Sequence, residues 1–204
     1  MFYEPDKRDH GLPHDPFKNL VVPRPIGWIS TLDPDGRPNL APYSFFNAVA
    51  SEPPCVLFAA SLRSREGERK DSQLNAERTG EFVVNLATYA QREAMNRSSA
   101  SLAAGDSEFA AAGLDTLPSR LVRPPRVKGA PVHLECTYLR TVELPCTRPG
   151  QANFVVFGRV VGIHIDDELI VDGLVDIARA RPIARLGYMD YSTVETVFRM
   201  DRPG

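Results

Sequence analysis

Long apolar runs are missing from this chain, and so is an excess of charge of either sign. No stretch of the 204 residues approaches the roughly 18 to 20 apolar residues that a membrane helix requires. The opening MFYEPDKRDHGLPHDP is polar and broken by prolines, without the apolar stretch of a secretory signal. A chain that is neither exported by a standard signal nor membrane-spanning is expected, with the cytoplasm as its compartment. The 24 basic and 26 acidic residues, well mixed, leave a net charge of -2, so no large field favours nucleic acid or an anionic membrane as partner. Cysteine is scarce: Cys55, Cys136 and Cys146 are odd in number, lack C-x-x-C spacing, and read as buried, reduced thiols beside apolar runs. The G-x-G-x-x-G, G-x-x-x-x-G-K-[ST] and G-x-S-x-G motifs are absent, which leaves the dinucleotide fold, the P-loop and the hydrolase elbow unsupported. Gly11 and Pro13 break the helix that would align His10 with His14 as metal ligands, and no metal site is expected.

What is present is an ordinary globular composition, 43% hydrophobic and 25% charged, with no linker or charge block to divide it, so one domain is expected. Residues 1–16 read as an N-terminal arm, packed on a partner subunit or frayed, ahead of a domain over 17–204. Strand signals then follow closely. A first run with Ile26, Trp28 and Ile29 precedes the turn Asp33-Pro34-Asp35-Gly36, Asn39 to Ala48 resumes the strand after it, and together they predict a β-hairpin. Pro38 and Pro42 predict that its second strand is irregular and leaves backbone groups free. Pro54 to Ser61, a continuous apolar run, predicts a strand buried on both faces. Asp71 to Glu77 predicts a short helix stopped at Thr79-Gly80, and Glu81 to Ala87 a compact strand. Helices are also predicted over Tyr89 to Asn96 and over Ser107 to Ala112, the latter closed by Gly113. Thr116 to Pro131 is proline-rich irregular chain, and Val132 to Leu144 with Ala152 to Asp166 predicts a second, longer hairpin. Strands dominate and no β-helix-β rhythm recurs, which argues for a mainly β antiparallel barrel with short helices.

Three segments are candidates for binding. Lys70-Asp71-Ser72 opens a helix after a loop carrying Arg63, Arg65 and Arg69; free N–H groups, a lysine and a hydroxyl there suit one phosphate, and the plainer alternative is a solvated basic loop with an ordinary cap. Ser44-Phe45-Phe46-Asn47 offers aromatic faces and a polar edge for a flat heteroaromatic ring, or simply core and a strand end. Ala59-Ala60-Ser61 permits close backbone approach to a ring, or fills a crowded core.

The hairpin from Arg24 to Asn47, then Lys70 to Asn75 with Thr79 to Leu86, and finally Ala184-Arg185-Leu186-Gly187 with Tyr191 resemble, in order, the flavin reductase-like family of FMN-binding split-barrel proteins. The resemblance implies an antiparallel split β-barrel binding FMN through Thr31, Ser44, Phe45, Phe46, Asn47, Ala59, Ala60, Ser61, Lys70, Ser72, Asn75 and Arg185. Arg185 faces the flavin or a neighbouring subunit in this reading, with a surface ion pair as the alternative. The resemblance further implies a homodimer, NADH or NADPH as electron donor, and a flavin-dependent monooxygenase as a partner. Flavin reduction by NAD(P)H needs stacking and orientation rather than an acid, base or nucleophile; an electron-transfer or flavin-holding protein without nicotinamide turnover is the alternative. This chain departs from the family at Tyr188, where a second glycine is common, and at Ser72, where threonine is.

Overall fold

The turn at Asp33 to Gly36 closes as its composition dictates: Asp33 Oδ1 accepts from the N–H groups of Asp35 (2.9 Å) and Arg37 (2.8 Å), and Gly36 takes φ +83°. It joins β2 (Gly27–Leu32) to β3 (Pro38–Tyr43), just after the two-residue β1 (Arg24–Pro25) and a single helical turn, α1 (Phe17–Leu20). The computed structural model describes residues 1–62, 68–102 and 106–203. The predicted long second strand is two strands: β3 ends at Tyr43 and β4 (Phe46–Ser51) begins after a break at Ser44 and Phe45. β5 (Pro54–Ser61), α2 (Asp71–Thr79) and β6 (Glu81–Leu86) follow. The helix stops as predicted, with Gly80 at φ +77° donating to Ala76 O. The next helix, α3 (Arg92–Arg97), starts later than expected because Thr88 to Gln91 forms a turn, whereas α4 (Glu108–Ala112) and its left-handed Gly113 match. A short ladder of β7 (Thr116–Leu117) and β8 (Arg126–Val127) precedes the long hairpin of β9 (Val132–Leu144) and β10 (Asn153–Ile165). The chain ends with β11 (Ile170–Val171), β12 (Leu174–Val175), α5 (Ile177–Ala180), β13 (Ile183–Gly187) and β14 (Asp190–Thr193).

Seven strands form one antiparallel sheet in the order β3-β2-β6-β9-β10-β5-β4. β3 and β4, neighbours in sequence, are therefore its opposite ends. The sheet curls until those ends meet. Tyr43 of β3 and Phe58 of β5 pack at 4.9 Å between ring centroids, and Phe46 of β4 lies so close over Gly27 that any side chain there would meet its ring at 2.6 Å. Ile29, Tyr43, Val56, Phe58, Phe82, Val84, Cys136 and Val156 fill the interior. The ends do not zip into a ladder; Phe45 O, accepting from Ala59 N (2.8 Å), carries the β4–β5 pairing one residue further, up to the gap. This is the predicted antiparallel barrel, open along one seam. β5 is not buried on both faces: Val56, Phe58 and Ala60 point inward and the alternate residues are partly or fully exposed. Of the cysteines only Cys136 is buried; Cys55 and Cys146 are half-exposed.

A second apolar cluster, with Ile26, Trp28, Leu40, Met95, Phe109, Val127 and Ile183, packs α3, α4 and β13 onto the outer face of the β2–β3 hairpin. The proline-rich segment is held by Glu135, which is fully buried. Its carboxylate accepts N–H bonds from Arg120 (2.8 Å), Leu121 (2.6 Å) and Val122 (3.2 Å) and is bonded by His164 Nε2 at 2.5 Å. Burial alone would raise this carboxyl, but those donors together hold it below its ordinary value. His133, the cross-strand neighbour of His164, shares Nε2 with Val127 O (2.9 Å), and burial pushes its pKa down.

Candidate functional site

Leu40 N donates to Glu108 Oε2 (3.3 Å) and so turns away from β2. In an antiparallel strand both backbone groups of a residue point the same way, so Pro38 and Pro42, two positions on either side, also face the open seam. The edge beside the gap therefore lacks N–H donors at both proline positions.

The sequence-predicted residues fall on two sides of the β2–β3 hairpin. On the barrel side, beneath α2, Thr31, Ser72 and Asn75 are buried in one polar cluster: Asn75 Nδ2 donates to Thr31 Oγ1 (3.1 Å), and Asn39 Nδ2 to Ser72 Oγ (2.9 Å) and Thr31 Oγ1 (3.3 Å). These bonds fasten α2 to the barrel. Lys70 is half-buried at the helix N-cap, and its side chain makes no capping hydrogen bond. Arg63 and Arg65 lie outside the described residues, and Arg69 is engaged by Glu77 at 3.0 Å. Ala59 N donates to Phe45 O at the end of the β4–β5 ladder, Ala60 points into the core, and Ser61 is exposed at the strand end. Phe46 packs against the interior cluster. Asn47 stands exposed on the β4 edge, its Oδ1 accepting from Ala48 N (2.9 Å).

On the outer side, Ser44 and Arg185 line a cleft of about 610 Å³ together with residues the sequence reading did not assign to a binding site: His14, Asp15, Lys18 and Asn19 from the arm and α1, Arg24 from β1, Asn96 from α3, and Tyr188 and Tyr191 from the β13–β14 hairpin. Phe45 stands close by, its ring centroid 5.6 Å from the Arg24 guanidinium. Arg24 is only 6% exposed. Its Nη1 donates to the carbonyls of Lys18, Val21 (2.7 Å) and Leu186 (3.4 Å), while its Nε, like Asn19 Oδ1, is buried without a partner. Burial, and then the nearby Arg185 cation, lower its pKa. Arg185 donates to Tyr188 O and stacks over the Tyr191 ring at 4.5 Å. It forms no ion pair among the described residues.

The hairpin that carries Arg185 explains two sequence features. A side chain at Gly187 would collide with Asn19, so glycine lets α1 pack on β13. Tyr188 is the first residue of the two-residue loop closed by Gly187 and Asp190, and it takes φ +43°. Two-residue hairpins favour glycine at that position, so the family's second glycine answers a backbone demand that this chain meets with a strained tyrosine. The ring is 48% exposed and sits 5.6 Å from that of His14.

Comparison with known proteins gives a consistent result. A family model described as flavin reductase like domain matches residues 19–184. The fold is similar to nitrilotriacetate monooxygenase component B from Bacillus cereus, with 31% identity, a TM-score of 0.87 and 98% of both chains covered. It is also similar to 2-nitrobenzoate 2-nitroreductase NbaA from Pseudomonas fluorescens, with 26% identity and a TM-score of 0.84 over 100% of this chain and 96% of that one. A protein from Shewanella frigidimarina described as a flavin reductase with split barrel domain superposes over the full length of both chains with a TM-score of 0.81 at 20% identity.

Proposed function

The chain belongs to the flavin reductase-like family, and we propose that it is an FMN-dependent oxidoreductase reduced by NADH or NADPH. The observation that supports this best is the cleft, an opening of about 610 Å³ at the outer end of the seam, of the size that ligand pockets take. Its unpartnered Arg24 Nε and Asn19 Oδ1 are buried polar atoms of the kind that a bound ligand satisfies. FMN supplies the hydride-accepting chemistry when bound. The chain's own part is to hold and orient: Lys70 and the N-terminal N–H groups of α2 for the phosphate, Ser44 and Phe45 at the break between β3 and β4 for the ring. Thr31, Ser72 and Asn75 support this indirectly, by fixing α2.

We place the protein in the cytoplasm as a homodimer, in which a second copy covers the exposed edge strand β4 with its half-exposed Val49. The similarity to a monooxygenase component B favours a flavin-dependent monooxygenase as consumer of the reduced flavin.

Titration with FMN and with riboflavin tests the phosphate assignment. Lys70→Ala should weaken FMN by about ten- to a hundredfold and leave riboflavin nearly unchanged; equal losses for both flavins would remove Lys70 from the phosphate site. Anaerobic NADH or NADPH should bleach the bound flavin within seconds. If dithionite bleaches it and neither nicotinamide does, the protein is an electron-transfer or flavin-holding module instead. Sedimentation should give one species of twice 22.6 kDa.

A further inference from the structure

The proposed reaction needs a place for the electron donor, and Lys70, Ser44 and Phe45, which hold the flavin in this reading, do not provide one; Arg185, which the resemblance assigned to the flavin, is free to serve it. The outer cleft brings Arg24, Arg185 and Lys18 together against a single lining carboxylate, Asp15. That carboxylate already accepts from Phe17 N at 2.9 Å. Three cations and one anion leave two positive charges, and neither guanidinium has an ion-pair partner among the described residues. Arg24 is held in place by the backbone carbonyls of Lys18 on α1, Val21 just after it and Leu186 on β13, and keeps a buried Nε with no partner among the described residues. A buried arginine facing another arginine raises the energy of the empty site, and an anion between them relieves it. Beside this pair stand two half-exposed tyrosines, Tyr188 and Tyr191, whose faces suit flat rings.

Building on the reductase reading, we propose that the Arg24–Arg185 cleft recognises the dianionic pyrophosphate of the nicotinamide dinucleotide that reduces the flavin. Two guanidinium groups match two phosphate units, where a monocarboxylate would leave one cation unmatched. Arg24 is the fixed element. Arg185, at the surface of the hairpin, is the one whose loss the fold tolerates.

The test uses the FMN-loaded dimer and its Arg185→Gln variant, with Arg185→Lys as the charge-keeping control. Inorganic pyrophosphate, titrated calorimetrically, should bind the wild type at one site per chain, roughly tenfold or more weakly after Arg185→Gln, with partial recovery in Arg185→Lys. Stopped-flow reduction should show the preference for NADH over the uncharged donor 1-benzyl-1,4-dihydronicotinamide falling at least tenfold in the same variant. No pyrophosphate binding to the wild type, or equal losses with both donors, would overturn the inference. So would loss of the preference for FMN over riboflavin in Arg185→Gln, since the cation pair would then serve the flavin phosphate. Pyrophosphate binding without reduction by either donor would support the anion site while defeating the reductase reading.

Discussion

Two buried charged groups of this fold are treated in opposite ways. Glu135 is fully buried and fully answered: three backbone N–H groups and His164 close around its carboxylate. Arg24 is almost as deep, yet it faces a like charge and keeps an unbonded nitrogen. A buried charge is tolerable only when paired or hydrogen-bonded. Glu135 meets that condition within the chain and holds the proline-rich segment on the barrel; Arg24 meets it only in part, and the missing part defines what the cleft can receive.

The sharpest way to break this contrast is to remove the satisfied charge. Glu135→Ala strips four donors of their acceptor and should lower stability by about 3–5 kcal/mol in urea denaturation. The riboflavin affinity of the fraction that remains folded should hardly change, because Glu135 touches no part of the cleft. A loss below 1 kcal/mol would mean that the carboxylate is dispensable and the contrast false.

Acid should act on the same region in two stages. His133 and Glu135 both have folded pKa values below their unfolded ones, so the unfolded chain binds more protons and each contribution is complete above the unfolded pKa. Stability should begin to fall below about pH 6.5 through His133 and fall further below about pH 4.3 through Glu135. His133→Gln should flatten the first stage and leave the second. A first stage unchanged in that variant would show that another group produces it.

The smallest effect is expected at the cleft. Tyr188→Gly relieves a left-handed residue and should stabilise the protein by about 1 kcal/mol, read as a higher urea midpoint at constant slope. Pyrophosphate or dinucleotide binding should weaken at the same time. Stability and affinity moving together would show that the tyrosine is an accident of the turn rather than part of the site.

The sequence made local elements legible where one residue type forces the geometry. Asp33 and Gly36 set the first turn, Gly80 and Gly113 stop two helices, and the alternating runs of β9 and β10 announce their own length. The antiparallel barrel and the family were readable from the same segments. That β3 and β4 lie at opposite ends of the sheet was not, because closure depends on contacts such as Phe46 over Gly27 that no local pattern encodes. Glu135 and His164 meet only through the β9–β10 register and its shift near Gly162. Arg24 was passed over because arginine in a strand reads as exposed; its guanidinium is held by two nearby carbonyls, of Lys18 and Val21, and by that of the distant Leu186. Thr31, Ser72 and Asn75 were read toward the flavin, and the buried bonds they share became visible only with α2 in place.

The open seam raises one last matter, that of company. An unpaired strand edge normally invites a strand from another molecule, the first step toward a fibre or a precipitate. Along β3 the positions facing outward are Pro38, Leu40 and Pro42; two cannot donate, and the third is already bonded by Glu108. An incoming strand would find almost no donors to pair with. The barrel can thus stay open on that side in a crowded cell, available to small molecules and closed to sheet extension.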